Sequence, residues 1–97
     1  MIIHKVSDDF KNLFNRLEGN IKELARKAFE QLKTNPKTAA LQFKKLSNGY
    51  YSARVGAHHR AVGFKVKDNR NSVYIWIWIG TKENFTKYIK TLRGIKD

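Results

Sequence analysis

The chain has no cysteine among its 97 residues. Disulfides, thiolate metal sites and cysteine nucleophiles are therefore excluded. It has a single proline and no internal repeat or low-complexity run. Its longest apolar run, Val73 to Ile79, is far too short to span a bilayer as a helix. The residues from Met1 to Lys5 carry no leader-like apolar run, so the expectation is a cytoplasmic protein with no membrane partner. Above all, the chain is short of acid. Eight Asp and Glu face twenty Lys and Arg, a formal net charge of +12. Such a field attracts nucleic acid, acidic membranes or acidic proteins.

The rest of the composition is globular. With 41% hydrophobic residues the chain can fill one modest core, and 97 residues make one domain, 1–97.

Ile2 to Val6 is short and β-branched, which predicts a first strand. Ser7-Asp8-Asp9 supplies a helix N-cap and negative charge for the helix dipole. Phe10, Leu13, Phe14 and Leu17 follow at helical spacing, and Gly19-Asn20 predicts a break. Asn20 and Glu23 have the spacing of a capping box. Ile21, Leu24, Ala25, Ala28 and Leu32 form the stripe of a second helix, which Asn35-Pro36 stops. So short a break predicts an antiparallel helical hairpin.

Beyond Pro36 the period becomes two. Tyr51, Ala53 and Val55 share one face of a strand; Tyr50, Ser52 and Arg54 share the other. Gly56-Ala57-His58 is a turn candidate, and Val62, Phe64 and Val66 continue on a partner strand. Asp68 to Asn71 signals another turn. Val73 to Ile79 is apolar on both faces, with Tyr74, Trp76 and Trp78 expected on one side as core. Such a strand is central or covered by helices. Gly80-Thr81 caps a last helix, in which Phe85, Tyr88, Ile89 and Leu92 share a face. The fold class is α+β: an N-terminal strand and helical hairpin packed on a twisted, mainly antiparallel sheet, with a C-terminal helix.

The acids are unevenly placed. Lys37 to Lys67 holds seven Lys or Arg and no Asp or Glu. Phosphate contacts need such unopposed positive charge. Lys44, Lys45, His58 and Lys65 are the candidate RNA contacts. Arg54 and Arg60 are equidistant from Ala57. A turn symmetric about Ala57 sets them opposite each other on one face; a two-residue turn sets them on opposite faces. Like charges directly opposite destabilise a sheet, so a facing pair points to a bound anion. Guanidinium groups can clamp a phosphate and stabilise charge developing on it. His59 is the candidate acid or base. His58 and His59 point apart in a strand, and no HxH, HxxxH or carboxylate cluster accompanies them. Neither a metal nor another cofactor is expected.

An ordered set of segments carries a family likeness. They are Leu-Lys-Thr-Asn-Pro (Leu32 to Pro36), Phe-Lys-Lys-Leu (Phe43 to Leu46), Tyr-Ser-Ala-Arg-Val-Gly (Tyr51 to Gly56), His-His-Arg-Ala-Val (His58 to Val62) and Trp-Ile-Trp-Ile-Gly-Thr (Trp76 to Thr81). From about Ile21 to Ile89 the chain resembles the RelE/ParE superfamily, the toxins of bacterial type II toxin–antitoxin systems. The resemblance implies a microbial-ribonuclease-like fold. RelE-like members cut mRNA on the ribosome with basic residues and no metal; ParE-like members instead poison DNA gyrase.

Arg60 matches the family arginine of the His/Tyr-Arg-hydrophobic motif, and Arg54 that of the preceding Arg-Val-Gly strand. Where relatives continue Trp-Ile-Gly-Thr with His-x-x-Tyr, this chain has Lys82-Glu83-Asn84-Phe85. Lysine holds a fixed charge that can stabilise a pentavalent phosphate, whereas phenylalanine has no proton to exchange. The resemblance thus implies a catalytic set of Arg60, Arg54 and Lys82, with His59 moving a proton. Its implied partners are mRNA on the ribosome and a cognate antitoxin with an acidic or partly disordered segment. The alternatives are a ParE-like gyrase inhibitor and a degenerate nucleic-acid-binding member.

Overall fold

Ser7 starts the first helix as its residue type predicts. Its backbone is extended and its Oγ accepts from the Phe10 N–H at 3.1 Å, with Asp8 and Asp9 in the first turn. The structure, a computed structural model, describes residues 2–96, with side chains described as far as Leu92. Helix α1 spans Asp8–Asn15 and helix α2 Gly19–Thr34. The break between them falls at residues 16–18, earlier than Gly19-Asn20. The Arg16 and Leu17 N–H groups still bond the Leu13 and Phe14 carbonyls, and Glu18 then turns extended. Glu18 is therefore the N-cap, with no side-chain cap bond, and the Asn20–Glu23 capping box does not form. Glu23 instead pairs with Arg26 on the surface.

The two helices run antiparallel. Phe14 lies 5.5 Å from the Arg26 guanidinium, while Phe10, earlier in α1, meets the edge of Phe29, later in α2, at 5.5 Å.

Strands β1 (Ile2–Val6), β2 (Lys44–Lys45), β3 (Tyr50–Val55), β4 (His59–Asp68) and β5 (Asn71–Thr81) form one sheet in the order β1-β5-β4-β3-β2. β1 runs parallel to β5, and every other pairing is antiparallel. A short 3-10 turn, Ala39–Leu41, precedes β2, and helix α3 spans Lys82–Lys96. β5 is flanked on both sides, which explains its apolar character on both faces.

The hairpin covers one face. Ala25, Ala28, Leu32 and Phe10 pack there on Ala53, Val55, Ala61, Tyr74, Trp76 and Ile79. Trp76 is 0% exposed. Its indole N–H donates to His4 Nδ1 at 3.1 Å, so its one polar atom is satisfied. The other face carries Val62, Phe64 and Trp78 towards α3, where Trp78 stacks on Tyr88 with centroids 4.9 Å apart.

That arrangement corrects the expectation that Tyr74, Trp76 and Trp78 share a side. Val62 pairs with Trp78 but Gly63 pairs with Trp76, leaving Ile77 as an extra residue in β5. A bulge resets the alternation, so Trp76 and Trp78 enter opposite cores. Among the described residues, no helix is long and apolar enough to cross a membrane.

Candidate nucleic-acid interface

The β3–β4 turn decides the register left open by the sequence. Val55 pairs with His59, so residues 56–58 form a turn symmetric about Ala57, and Arg54 pairs directly with Arg60. Their strand neighbours Val55 and Ala61 are buried in the hairpin-side core. Strand alternation therefore starts both arginines on the sheet face opposite Val55 and Ala61, and Arg54 also borders a hollow lined by Leu24, Lys27 and Gln31 of α2. Each is half-buried. Arg54 Nε donates to the Gly56 carbonyl at 3.0 Å, and Arg60 Nη1 donates to the His59 carbonyl at 2.9 Å. Among the described residues, the ion pairs are Lys11–Asp8 and Arg26–Glu23, both on the helices. The facing arginines thus have backbone oxygens but no carboxylate. Burial and the positive charge of Arg54 lower the Arg60 pKa from its usual value. Arginine stays charged under such a shift, so the strain remains as electrostatic repulsion.

The next strand extends the same sheet end. Arg60 pairs with Gly80 and His59 with Thr81. A Cβ at Gly80 would lie 2.6 Å from the Trp78 ring, so the absence of a side chain lets the indole lie over the strand. Thr81 Oγ1 accepts from the Asn84 N–H at 3.2 Å and caps α3. The Lys82 N–H donates to the His58 carbonyl at 2.8 Å. This bond ties the first residue of α3 to the β3–β4 turn. The structure therefore gathers Arg54, Arg60, His58 and Lys82 at one end of the sheet. Lys82 and His58 are exposed there.

The remaining predicted residues divide by register. Lys44 pairs with Ser52 and so shares the face of Arg54; Lys45 pairs with Tyr51 on the hairpin side. Lys65 pairs with Tyr74, also on the hairpin side, and its Nζ lies 5.8 Å from the Tyr74 ring centroid. It belongs to the far end of β4, away from the arginines. His59 is one residue from Arg60, and alternation points it to the opposite side of the sheet. Burial and then the His58 charge lower the His59 pKa, only partly countered by Glu83 and Glu18. The shift favours the neutral imidazole.

Sequence reasoning passed over Arg16 and Lys87. With His59, Asn84 and Thr91 they line an open groove of about 460 Å³ between α1 and α3. A signal existed: Asn84, Lys87, Tyr88 and Thr91 are spaced as one stripe of α3. No group of three or more His, Cys, Asp or Glu able to hold a metal ion occurs among the described residues.

No family model matches the chain, and no curated protein sequence does. Solved structures do match its fold. YafQ from E. coli strain BL21(DE3) superposes with a TM-score of 0.63 at 14% identity, over 88% of this chain and 98% of that one. A YoeB/ParE toxin from Agrobacterium tumefaciens gives 0.62 at 16% identity, over 81% and 97%. The RelB-RelE antitoxin-toxin complex from Methanococcus jannaschii gives 0.60 at 15% identity, over 87% and 96%. The chain has the fold that these toxins share.

Proposed function

We propose that this chain is the toxin of a type II toxin–antitoxin pair and a metal-independent endonuclease acting on ribosome-bound mRNA. The observation that carries the reading is the Arg54–Arg60 pair, set face to face without a carboxylate. Two fixed positive charges held together are disfavoured in the free protein and favoured once a phosphate lies between them.

In the reaction, a ribose 2′-oxygen bonds to the adjacent phosphorus and the bond from phosphorus to the 5′-oxygen breaks. The products are a 2′,3′-cyclic phosphate and a 5′-hydroxyl. Arg60 and Arg54 hold the non-bridging oxygens as negative charge builds on them. Lys82 adds positive charge at the same sheet end, and Lys44 and His58 contact the strand on either side. The 2′-hydroxyl proton passes to solvent, and the 5′-oxygen takes one up. His59 faces away across the sheet, so charge stabilisation dominates this site. The ribosome supplies the orientation of the mRNA.

An acidic partner follows from the same field, and the fold's neighbours include RelB-RelE and RelBE2 antitoxin–toxin complexes. Cleavage of ribosome-bound mRNA by wild type and Arg60→Ala tests the activity. Cutting by wild type, reduced about a hundredfold in the variant, is expected. Absence of cutting by wild type, or equal cutting by both, overturns it.

A gyrase inhibitor is the second reading, favoured by the half-buried Phe85 and the fixed charge of Lys82 where the family places tyrosine and histidine. Loss of supercoiling with purified gyrase, together with inert mRNA, would select it.

A further inference from the structure

A cationic hollow lies at the open edge of β3. β2 pairs only with Tyr51 and Ser52, so beyond Ser52 that edge of β3 has no strand partner. There Arg54 borders a hollow of about 350 Å³, lined on the α2 side by Lys27 and Gln31 and otherwise by Leu24, Ala28 and Ala40. Lys27 and Gln31 are four residues apart, so they lie one above the other on one side of α2. The β3–β4 turn sits close against the same helix. Gly56 has a φ of +63°, and a Cβ on it would stand 2.7 Å from the Leu24 side chain.

The lining holds two cations and one amide, and no acid. The ion pairs among the described residues involve neither Lys27 nor Arg54. Arg54 commits its Nε to the Gly56 carbonyl, which leaves the two terminal nitrogens of the fork to face a ligand. The volume is at the lower end of the roughly 300–1,000 Å³ of small-ligand sites. Lysine offers a phosphate a point charge, and a glutamine amide donates to its oxygens. Leu24, Ala28 and Ala40 add no side-chain polar group to compete. Charge alone would also suit an acidic peptide. A nucleic-acid strand accounts for the position as well, because its phosphates follow one another and the hollow adjoins the arginine pair.

We propose that Lys27 and Gln31 form a second phosphate subsite, which holds the RNA phosphate next to the one clamped by Arg54 and Arg60. Arg54 stands between the two phosphates and contacts both. The strand leaves the clamp over the open edge of β3, towards α2. This subsite rests on the reading of the arginine pair as an RNA phosphate clamp. Lys27 and Gln31 precede the acid-free stretch from Lys37 to Lys67, so charge along the chain does not reveal them.

The test uses the full chain, isotopically labelled, and two 2′-O-methyl oligonucleotides, which lack the attacking hydroxyl and stay uncut. One is a dinucleotide with a single internal phosphate; the other is a trinucleotide with two. Neither has a terminal phosphate. Affinities are read from resonance shifts in wild type, Lys27→Gln, Gln31→Leu and Lys33→Gln. Lys33 is on α2 but does not line the hollow, so its variant controls for the lost net charge. Lys27→Gln is expected to weaken the trinucleotide about fivefold, the size of one exposed charge contact, and to leave the dinucleotide unchanged. Its salt slope for the trinucleotide should fall by about 0.7, one single-stranded phosphate contact. Gln31→Leu should also weaken the trinucleotide alone, and Lys33→Gln should weaken neither. Equal weakening of both oligonucleotides by Lys27→Gln, weakening of neither, or no binding of the trinucleotide overturns the proposal. So does a Glu-rich peptide of matched charge that binds with the same dependence on Lys27. Uncut mRNA beside a Lys27-dependent trinucleotide removes the nuclease reading alone. Cut mRNA beside a trinucleotide indifferent to Lys27 removes the subsite alone.

Discussion

Arg54 and Arg60 face each other across β3 and β4, and among the described residues their guanidinium groups bond only backbone carbonyls. Inorganic phosphate should therefore stabilise the fold beyond the general effect of such salts. At matched ionic strength, phosphate is expected to raise the melting temperature of wild type more than that of Arg60→Gln. In chloride, Arg60→Gln should melt no lower than wild type, because the repulsion is gone. Equal phosphate shifts in both proteins would remove the clamp. Differential scanning calorimetry reads both quantities.

Lys82 is placed by its own backbone bond to His58, so its side chain can be changed without moving α3. Lys82→Ala should lower mRNA cleavage about tenfold, the loss of roughly 1.4 kcal/mol of transition-state stabilisation. Lys82→Arg should restore most of it, since only the charge is required. Single-turnover cleavage rates decide the point; an unaffected Lys82→Ala would take the residue out of the site.

Gly63 lies where β4 crosses beneath Trp76. A Cβ there would stand 2.9 Å from the Ile75 carbonyl oxygen and 3.0 Å from the indole. Neither neighbour can yield, because one is sheet backbone and the other is fully buried. Gly63→Ala should cost about 1–3 kcal/mol by urea denaturation. A neutral result would mean that the bulge at Ile77 relaxes more easily than its packing suggests.

His4 accepts the Trp76 indole bond through Nδ1, which requires that nitrogen to be unprotonated. Burial, and secondarily the Lys33 charge, lower the His4 pKa; burial is also the main cause at His59. Both histidines bind protons more readily unfolded than folded. The stability they contribute is full above the ordinary histidine pKa of about 6.5, and is lost as pH falls through it towards the folded values. Urea midpoints should thus fall between pH 7.5 and 5. Trp76 fluorescence should report the change, and His4→Asn should flatten the slope. Equal slopes would assign the effect elsewhere.

Much of this molecule was legible in its sequence. The Ser7 cap, the change of period after Pro36 and the spacing of Arg54 and Arg60 about Ala57 all led to the observed elements. The register of the arginines followed from one assumption about turn symmetry. Other features were not local. Ile77 looks like one more isoleucine in an alternating strand, and only its failure to pair with β4 reveals a bulge. The parallel pairing of β1 with β5 joins segments far apart along the chain. Phe29 has the helical spacing of Ala25, Ala28 and Leu32, but that spacing does not reveal that its ring links Phe10 to Trp76. The separation of Lys65 from Arg60 depended on alternation along β4, which net charge cannot express.

The pairing of β1 with β5 also orders events in time. Ile2–Val6 meets Ser72–Trp76, so β1 finds its partner only after β2, β3 and β4 have been made. Until then α1 and α2 have no complete sheet to cover, and their phenylalanines stay open to solvent. Closing so long a loop slows folding relative to contacts between neighbours. A nascent chain would have its arginine-bearing hairpin before it had the framework that holds it.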